Sequence, residues 1–156
     1  MVPFEHLKTL IELGAGTGVL SAELLHRKKR ETQFLMLEPD DEFFAVLKKK
    51  FSKEEHTEVI QELAENLPSV ISAFGIKKVN CVVSSLPFAL ISNKVSATIL
   101  AAIAEILAPG GRFVFYQYTL FRLPLILKYF KIERFAFTAL NAPPAFVFLC
   151  SARQKG

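Results

Sequence analysis

The chain has 156 residues, a hydrophobic fraction of 51% with 15 Phe, and a formal net charge of +4. That length makes one domain over residues 1–156, with room for a proper core, and the composition excludes a disordered chain. No apolar run reaches the roughly 18–20 residues that span a bilayer. Met1–His6 also lack the charged and apolar regions of a signal peptide, so the expected location is cytoplasmic.

Thr9-Leu10-Ile11-Glu12-Leu13 is an apolar run with one carboxylate inside it, and it opens into Gly14-Ala15-Gly16-Thr17-Gly18. A helical pattern follows from Val19 to about Lys29. Strand, tight glycine loop and helix begin a doubly wound α/β fold, whose ligand sits at the carboxyl ends of the strands. Residues without Cβ let the backbone turn sharply and let a ligand approach its N–H groups. The spacing G-x-G-x-G differs from the G-x-G-x-x-G of dinucleotide folds. Glu12 adds to the signal, because a buried carboxylate needs a cationic or hydrogen-bond-donating partner, which a ligand would supply.

Gln33–Glu38 reads as the second strand and ends in an acid 20 positions beyond Gly18. Nucleoside-binding α/β folds place a carboxylate at about that distance on the ribose hydroxyls. Asp40 or Asp41 can cap the next helix, Asp41–Phe51, which leaves Glu38 free for ribose. Phe43, Val46, Leu47 and Phe51 have core-facing spacing on that helix. Thr57–Gln61 is a short third strand, and a helix is expected over about Asn66 to Phe74. Val79–Ser85 is a fourth strand of the kind buried on both faces, ending in Ser84-Ser85-Leu86-Pro87-Phe88. A helix capped by Ser92 or Asn93 follows, with Val95, Ile99, Ala102, Ile103 and Ile106 on one face. Ala108-Pro109-Gly110-Gly111 stops it before the fifth strand, Arg112–Tyr118. Leu120–Tyr129 is apolar and broken by Pro124. Two last runs, Ile132–Thr138 and Ala145–Ser151, are joined by Asn141-Ala142-Pro143-Pro144.

Cys81 and Cys150 lie far apart in apolar runs, which points to core packing and to neither a zinc site nor a disulfide; no metal is expected. His26-Arg27-Lys28-Lys29-Arg30 and Lys48-Lys49-Lys50 with Lys53 end the first two helices. Cations there offset the helix dipoles. Taken together they would instead form a basic face for phosphate backbone or acidic lipid headgroups.

Glu12–Gly18 resembles motif I of the class I S-adenosylmethionine-dependent methyltransferases. The resemblance implies a doubly wound, mostly parallel seven-stranded Rossmann-like sheet closed by an antiparallel C-terminal hairpin of the last two runs. It implies S-adenosyl-L-methionine as cofactor. Glu12 would face the cofactor's amino-acid moiety, with Gly14, Ala15, Gly16, Thr17 and Gly18 passing under it. Glu38 and Pro39 would lie at the ribose, and Ser84 at the strand end the family calls motif IV. The family often carries an acid contacting adenine just after the third strand; Leu63 falls there, with Glu62 beside it.

Val83-Ser84-Ser85-Leu86-Pro87-Phe88, Pro109-Gly110-Gly111-Arg112-Phe113-Val114 with Tyr118, and Asn141-Ala142-Pro143-Pro144-Ala145 with Val147 resemble the bacterial phospholipid N-methyltransferases. The likeness runs from about Thr9 to Ser151. It implies methylation of a phospholipid ethanolamine headgroup by a protein peripheral to an anionic membrane such as the inner membrane, with Ser84, Ser85 and Tyr118 orienting the amine. The Leu120–Phe130 stretch would then contact acyl chains. Two departures stand out: Ser85 replaces the family's usual glycine, and the chain starts a few residues before the first strand, where members carry an amphipathic helix. An RNA adenine N6-methyltransferase is the alternative: Leu86-Pro87-Phe88 fits its N-L-P-Y/F element, but Ser85 replaces the asparagine and no length remains for an RNA-binding domain. A non-catalytic, cofactor-binding remnant is a third reading.

Overall fold

The computed structural model describes residues 1–138 and 145–153. Strands β1 (Thr9–Leu13), β2 (Gln33–Leu37), β3 (Thr57–Ile60), β4 (Val79–Ser84), β5 (Leu107–Gln117), β6 (Phe130–Thr138) and β7 (Ala145–Ala152) form one seven-stranded sheet. Its order is β3-β2-β1-β4-β5-β7-β6. The first five strands in that order run parallel, β7 is antiparallel to β5, and β6 is antiparallel to β7. The expected closing hairpin is therefore present; Asn141–Pro144, which was to join it, lies outside the described residues. The chain winds one way from β1 to β3 and the other way from β4 onward. A crevice consequently opens at the carboxyl ends of β1 and β4, where such folds hold ligands.

Helices α1 (Val19–Arg27) and α2 (Asp41–Phe51) cover one face. There Leu24, Leu47 and Phe51 meet Leu10, Phe34, Met36, Cys81 and Val83. Helices α3 (Leu67–Ala73), α4 (Asn93–Ile106) and α5 (Leu123–Tyr129) cover the other, larger core. Phenylalanines of the strands stack within that core: Phe113 on Phe115 and Phe115 on Phe148, each pair with ring centroids 5.0 Å apart. Both cysteines are buried and unbridged. Strand alternation puts Glu12 on the same side of β1 as Leu10, toward α1.

Several expectations need correction. On α2 only Leu47 and Phe51 are buried, while Phe43 and Val46 are exposed. The helix lies near the sheet's edge and buries a narrow stripe that includes Phe44 instead. Strand β5 starts at Leu107, not Arg112, and carries Pro109-Gly110-Gly111 through a register shift against β4. The proline is accommodated because the ladder is already interrupted there. In the stretch after β5, Leu123 packs against the larger core and Leu120 and Phe121 are the exposed apolar residues.

The chain from Leu86 to Asn93 is pinned to the segment after β5. The Arg122 guanidinium donates to Phe88 O at 2.9 Å, to Ile91 O at 2.6 Å and to the Asn93 side chain. Gln117 Nε2 donates to Leu86 O at 2.9 Å.

Candidate functional site

Beyond Leu13 the backbone turns through Gly14, Gly16 and Gly18 at φ +75°, +54° and +75°. Gly14 N–H donates to Leu37 O, and Gly18 N–H to Ala15 O, each at 2.9 Å. A Cβ on Gly18 would lie 2.7 Å from Leu47 Cδ2 and 2.9 Å from the Phe51 ring, so its absence lets α2 pack on the loop. A Cβ on Gly16 would meet nothing within 4 Å. Two glycines of one motif thus do different work: Gly18 closes the core and Gly16 borders open space.

Two acids flank this loop. Glu12 is fully buried; its Oε2 accepts from Ser21 Oγ at 2.6 Å, and its Oε1 has no partner. Burial pushes the Glu12 carboxyl up to about 7, against the pull of the Ser21 bond, and the charge of Glu38 adds to the rise. A buried acceptor left unpaired costs about 1–3 kcal/mol, so this oxygen calls for a donor or a cation. Glu38 is buried as well: Oε2 accepts from Gly16 N–H at 2.7 Å and Oε1 from Asp40 N–H at 3.1 Å. Asp40 caps α2, its Oδ1 accepting from the Glu42 and Phe43 N–H groups at 3.0 Å. The cap is as expected, but Glu38 is not free, because it holds the glycine loop against the β2 end. Each of its oxygens keeps a second lone pair for a ligand hydroxyl.

Beside the loop lies a mostly apolar cavity of about 250 Å³, lined by Gly14, Leu37, Pro39, Glu62, Leu63 and Leu86 among others. It gathers residues the sequence reading had placed at the ribose and adenine. Glu62 Oε2 accepts from Asn66 Nδ2 at 2.7 Å and from Leu63 N–H at 3.2 Å, which orients the carboxylate at the cavity's edge.

On the other side of Leu86, Ser85, Pro87, Tyr116, Gln117 and Tyr118 line a second cavity of about 210 Å³. Ser85 and Tyr118 are therefore brought together. Ser84 does not line this cavity: it is fully buried, and its Oγ accepts from Leu86 N–H at 3.2 Å, shaping the turn. The Tyr116 and Tyr118 rings meet edge-on with centroids 5.8 Å apart. Burial raises the Tyr116 phenol above its ordinary range, partly offset by a hydrogen bond with Ser85, so it stays protonated at neutral pH. Both tyrosines also border an apolar cavity of about 390 Å³ on the α1 face, with Leu24, Val83, Val114 and Val147. Tyr116 and Gln117 escaped the sequence reading, although the period-two spacing of Tyr116 and Tyr118 already put both phenols on one face of a strand.

Several of the clustered cations are engaged within the chain. Lys50 folds back to donate to Gly18 O at 3.0 Å, and Lys48 pairs with Glu58 at 3.7 Å. Lys28 donates to Thr32 O at 3.1 Å, and Arg30 donates to Glu55 through Nε and Nη2.

The family described as a methyltransferase domain matches residues 10–111, from β1 to the Pro-Gly-Gly of β5. The chain belongs to that family. An ornithine lipid N-methyltransferase of Singulisphaera acidiphila is 27% identical over 154 residues, covering 96% of this chain and 78% of the relative. Among solved structures, the N-methyltransferase NodS of Bradyrhizobium japonicum WM9 superposes with a TM-score of 0.77 at 11% identity, over 95% of this chain and 87% of that one. NodS has also been solved with S-adenosyl-L-homocysteine, again at 0.77 and at 10% identity, over 95% and 79% of the two chains. The PH0226 protein of Pyrococcus horikoshii OT3 superposes at 0.76 with 14% identity, over 97% and 84%. The protein is a class I methyltransferase that uses S-adenosylmethionine. The residues present fit that group: an unpaired buried carboxylate oxygen stands ready for a cation, and the loop at Gly16 leaves the space a Cβ would fill.

Proposed function

We propose that this methyltransferase acts on the amine of a lipid headgroup, of the ethanolamine phospholipid kind, at a membrane surface. The observation that carries the reading is the likeness to an ornithine lipid N-methyltransferase along nearly the whole chain. No helix among the described residues is long and apolar enough to cross a membrane, so the lipid would be met from the side.

In this reading Glu12 Oε1 receives the cofactor's ammonium group, and Gly14, Ala15, Gly16, Thr17 and Gly18 form the floor beneath its amino-acid part. Glu38 and Pro39 take the ribose, while Glu62 and Leu63 bound adenine in the apolar cavity they share with Gly14 and Pro39. When bound, the cofactor supplies an activated sulfonium methyl. The protein's part is alignment, since a neutral amine must sit in line with the sulfur–methyl bond. Two at a time, the oxygens of Ser85, Tyr116 and Tyr118 accept from the amine's two N–H groups, which turns its lone pair toward the cofactor. Protonated phenols are acceptors here and not bases, so the ammonium's proton leaves to water before transfer. The chemistry the cofactor would supply there is the exchange of its S–C bond for a new N–C bond.

The test supplies the purified protein with methyl-labelled cofactor and either total lipid or total RNA from a bacterium. Label in an aminophospholipid, resolved by thin-layer chromatography, is the expected result. Label in RNA alone would overturn the reading, as would none in lipid from a protein that binds the cofactor.

A further inference from the structure

Two loops rim the Ser85–Tyr118 cavity, one running from Leu86 to Ser92 and the other from Tyr118 to Arg122, and both carry large apolar side chains into solvent. Leu90 is 86% exposed, Phe121 74% and Leu120 45%. Burial of one such side chain is worth about 1.5–3 kcal/mol, so three left in water on adjoining loops mark a surface made for contact. The charge around them has one sign. Lys94 in the first turn of α4 and Lys128 in the last turn of α5 are exposed, and with Arg122 and Phe121 they line a shallow groove behind the rim. Neither lysine pairs with an acid among the described residues. From Ser85 to Lys128 the sequence holds one carboxylate, Glu105, in the last turn of α4 away from the rim. The Arg122 guanidinium lies 5.2 Å over the Phe121 ring, which holds that ring outward.

We propose that Leu90, Leu120 and Phe121 insert into an anionic bilayer, with Lys94 and Lys128 against its headgroups. The docked orientation brings the mouth of the Ser85–Tyr118 cavity to headgroup level. The inference rests on the lipid reading above for its meaning, though the docking itself is measured separately. Protruding apolar tips with cations set behind them match the layering of a bilayer edge, where hydrocarbon lies beneath negative charge. The Lys48–Lys50 cluster, on the second helix, takes no part; Lys48 is paired with Glu58 and Lys50 with the Gly18 carbonyl.

The chain contains no Trp, so F121W places a single tryptophan at the tip, excited apart from the tyrosines. On mixing with phosphatidylglycerol/phosphatidylcholine vesicles its emission shifts to the blue, brominated acyl chains quench it, and salt reverses the effect. Sedimentation with the same vesicles compares wild type with L120S/F121S and with K48E/K49E/K50E. The first variant loses about ten-fold or more in vesicle affinity, and the second keeps it if its melting temperature is unchanged. Cofactor affinity of L120S/F121S stays at the wild-type value, as does its turnover of dihexanoyl-phosphatidylethanolamine below the micellar concentration. Its turnover of the same headgroup in vesicles falls. Undiminished vesicle binding by L120S/F121S, or no blue shift in F121W, overturns the docking surface. Vesicle binding through this surface with no methylation of either lipid form upholds the surface and overturns the headgroup reading instead.

Discussion

Replacing Glu12 by Gln tests the centre of the site. The carboxyl is fully buried with one oxygen unpaired and is pushed up to about 7. An unfolded glutamate titrates near 4.5. Between those values the folded chain keeps a proton that the unfolded chain has lost. Stability without cofactor therefore falls as pH rises through that window and levels above about 7. The full difference amounts to about 3 kcal/mol, taking 1.36 kcal/mol per pKa unit. Gln keeps the shape and the Ser21 contact without the charge. In urea melts, E12Q should match wild type near pH 4 and exceed its stability by up to about 3 kcal/mol at pH 8. Cofactor binding should move the other way. The variant loses roughly 1–3 kcal/mol of affinity, the range for a charged hydrogen-bond partner. Wild-type binding near pH 6 should release a proton, seen in calorimetry as a heat that depends on the buffer, because a cation beside Glu12 favours its ionised form. Superimposable stability–pH curves for the two proteins, or equal affinities at pH 8, would refute the argument.

The two glycines that do different work should separate cleanly. Gly16→Val is strained at φ +54° and loses some stability, yet keeps a cooperative melt and abolishes cofactor binding by calorimetry, whereas Gly18→Ala lowers the melting temperature sharply, since its Cβ also meets Leu47 at 2.7 Å. Glu38→Ala costs about 1–3 kcal/mol of cofactor affinity. It also costs some stability, because the side chain ties Gly16 to Asp40; affinity unchanged beside a lowered melting temperature would make it purely structural. Tyr118→Phe and Tyr116→Phe each lower kcat for the amine acceptor by about ten-fold with unchanged cofactor affinity, one acceptor hydrogen bond being worth about 1.4 kcal/mol. Equal kcat in both variants would remove the phenols from the acceptor site.

What could be read from the sequence were features with a local physical cause. The loop at Gly14–Gly18 follows from spacing alone, and the cap at Asp40 from the residue type that satisfies a first turn. The closing hairpin, by contrast, was implied by the family resemblance of the last two apolar runs and not by their spacing. Features set by distant packing were hidden. Phe43 and Val46 fit a helical stripe as well as Phe44 and Leu47 do, and only the position of α2 near the sheet's edge decides between them. Pro109-Gly110-Gly111 has the composition of a breaker, yet β4 shifts register and carries it into β5. The double tie of Glu38 to Gly16 and Asp40 depends on where β2 ends relative to β1. The partners of Lys48 and Lys50 were hidden too, because Glu58 and the Gly18 carbonyl come to them from other elements.

The side chains of Arg122 and Gln117 have a kinetic consequence. By holding the carbonyls of Leu86, Phe88 and Ile91, they join the loop after β4 to the one after β5 as a single stiff lip. A methyl acceptor meets this lip already shaped, with little loop ordering left to oppose binding. Arrival is then set by diffusion to the mouth and by orientation there, without waiting on closure of that side. Cutting the lip with Arg122→Ala would give the loop back its freedom, and encounters that now succeed would more often end in escape.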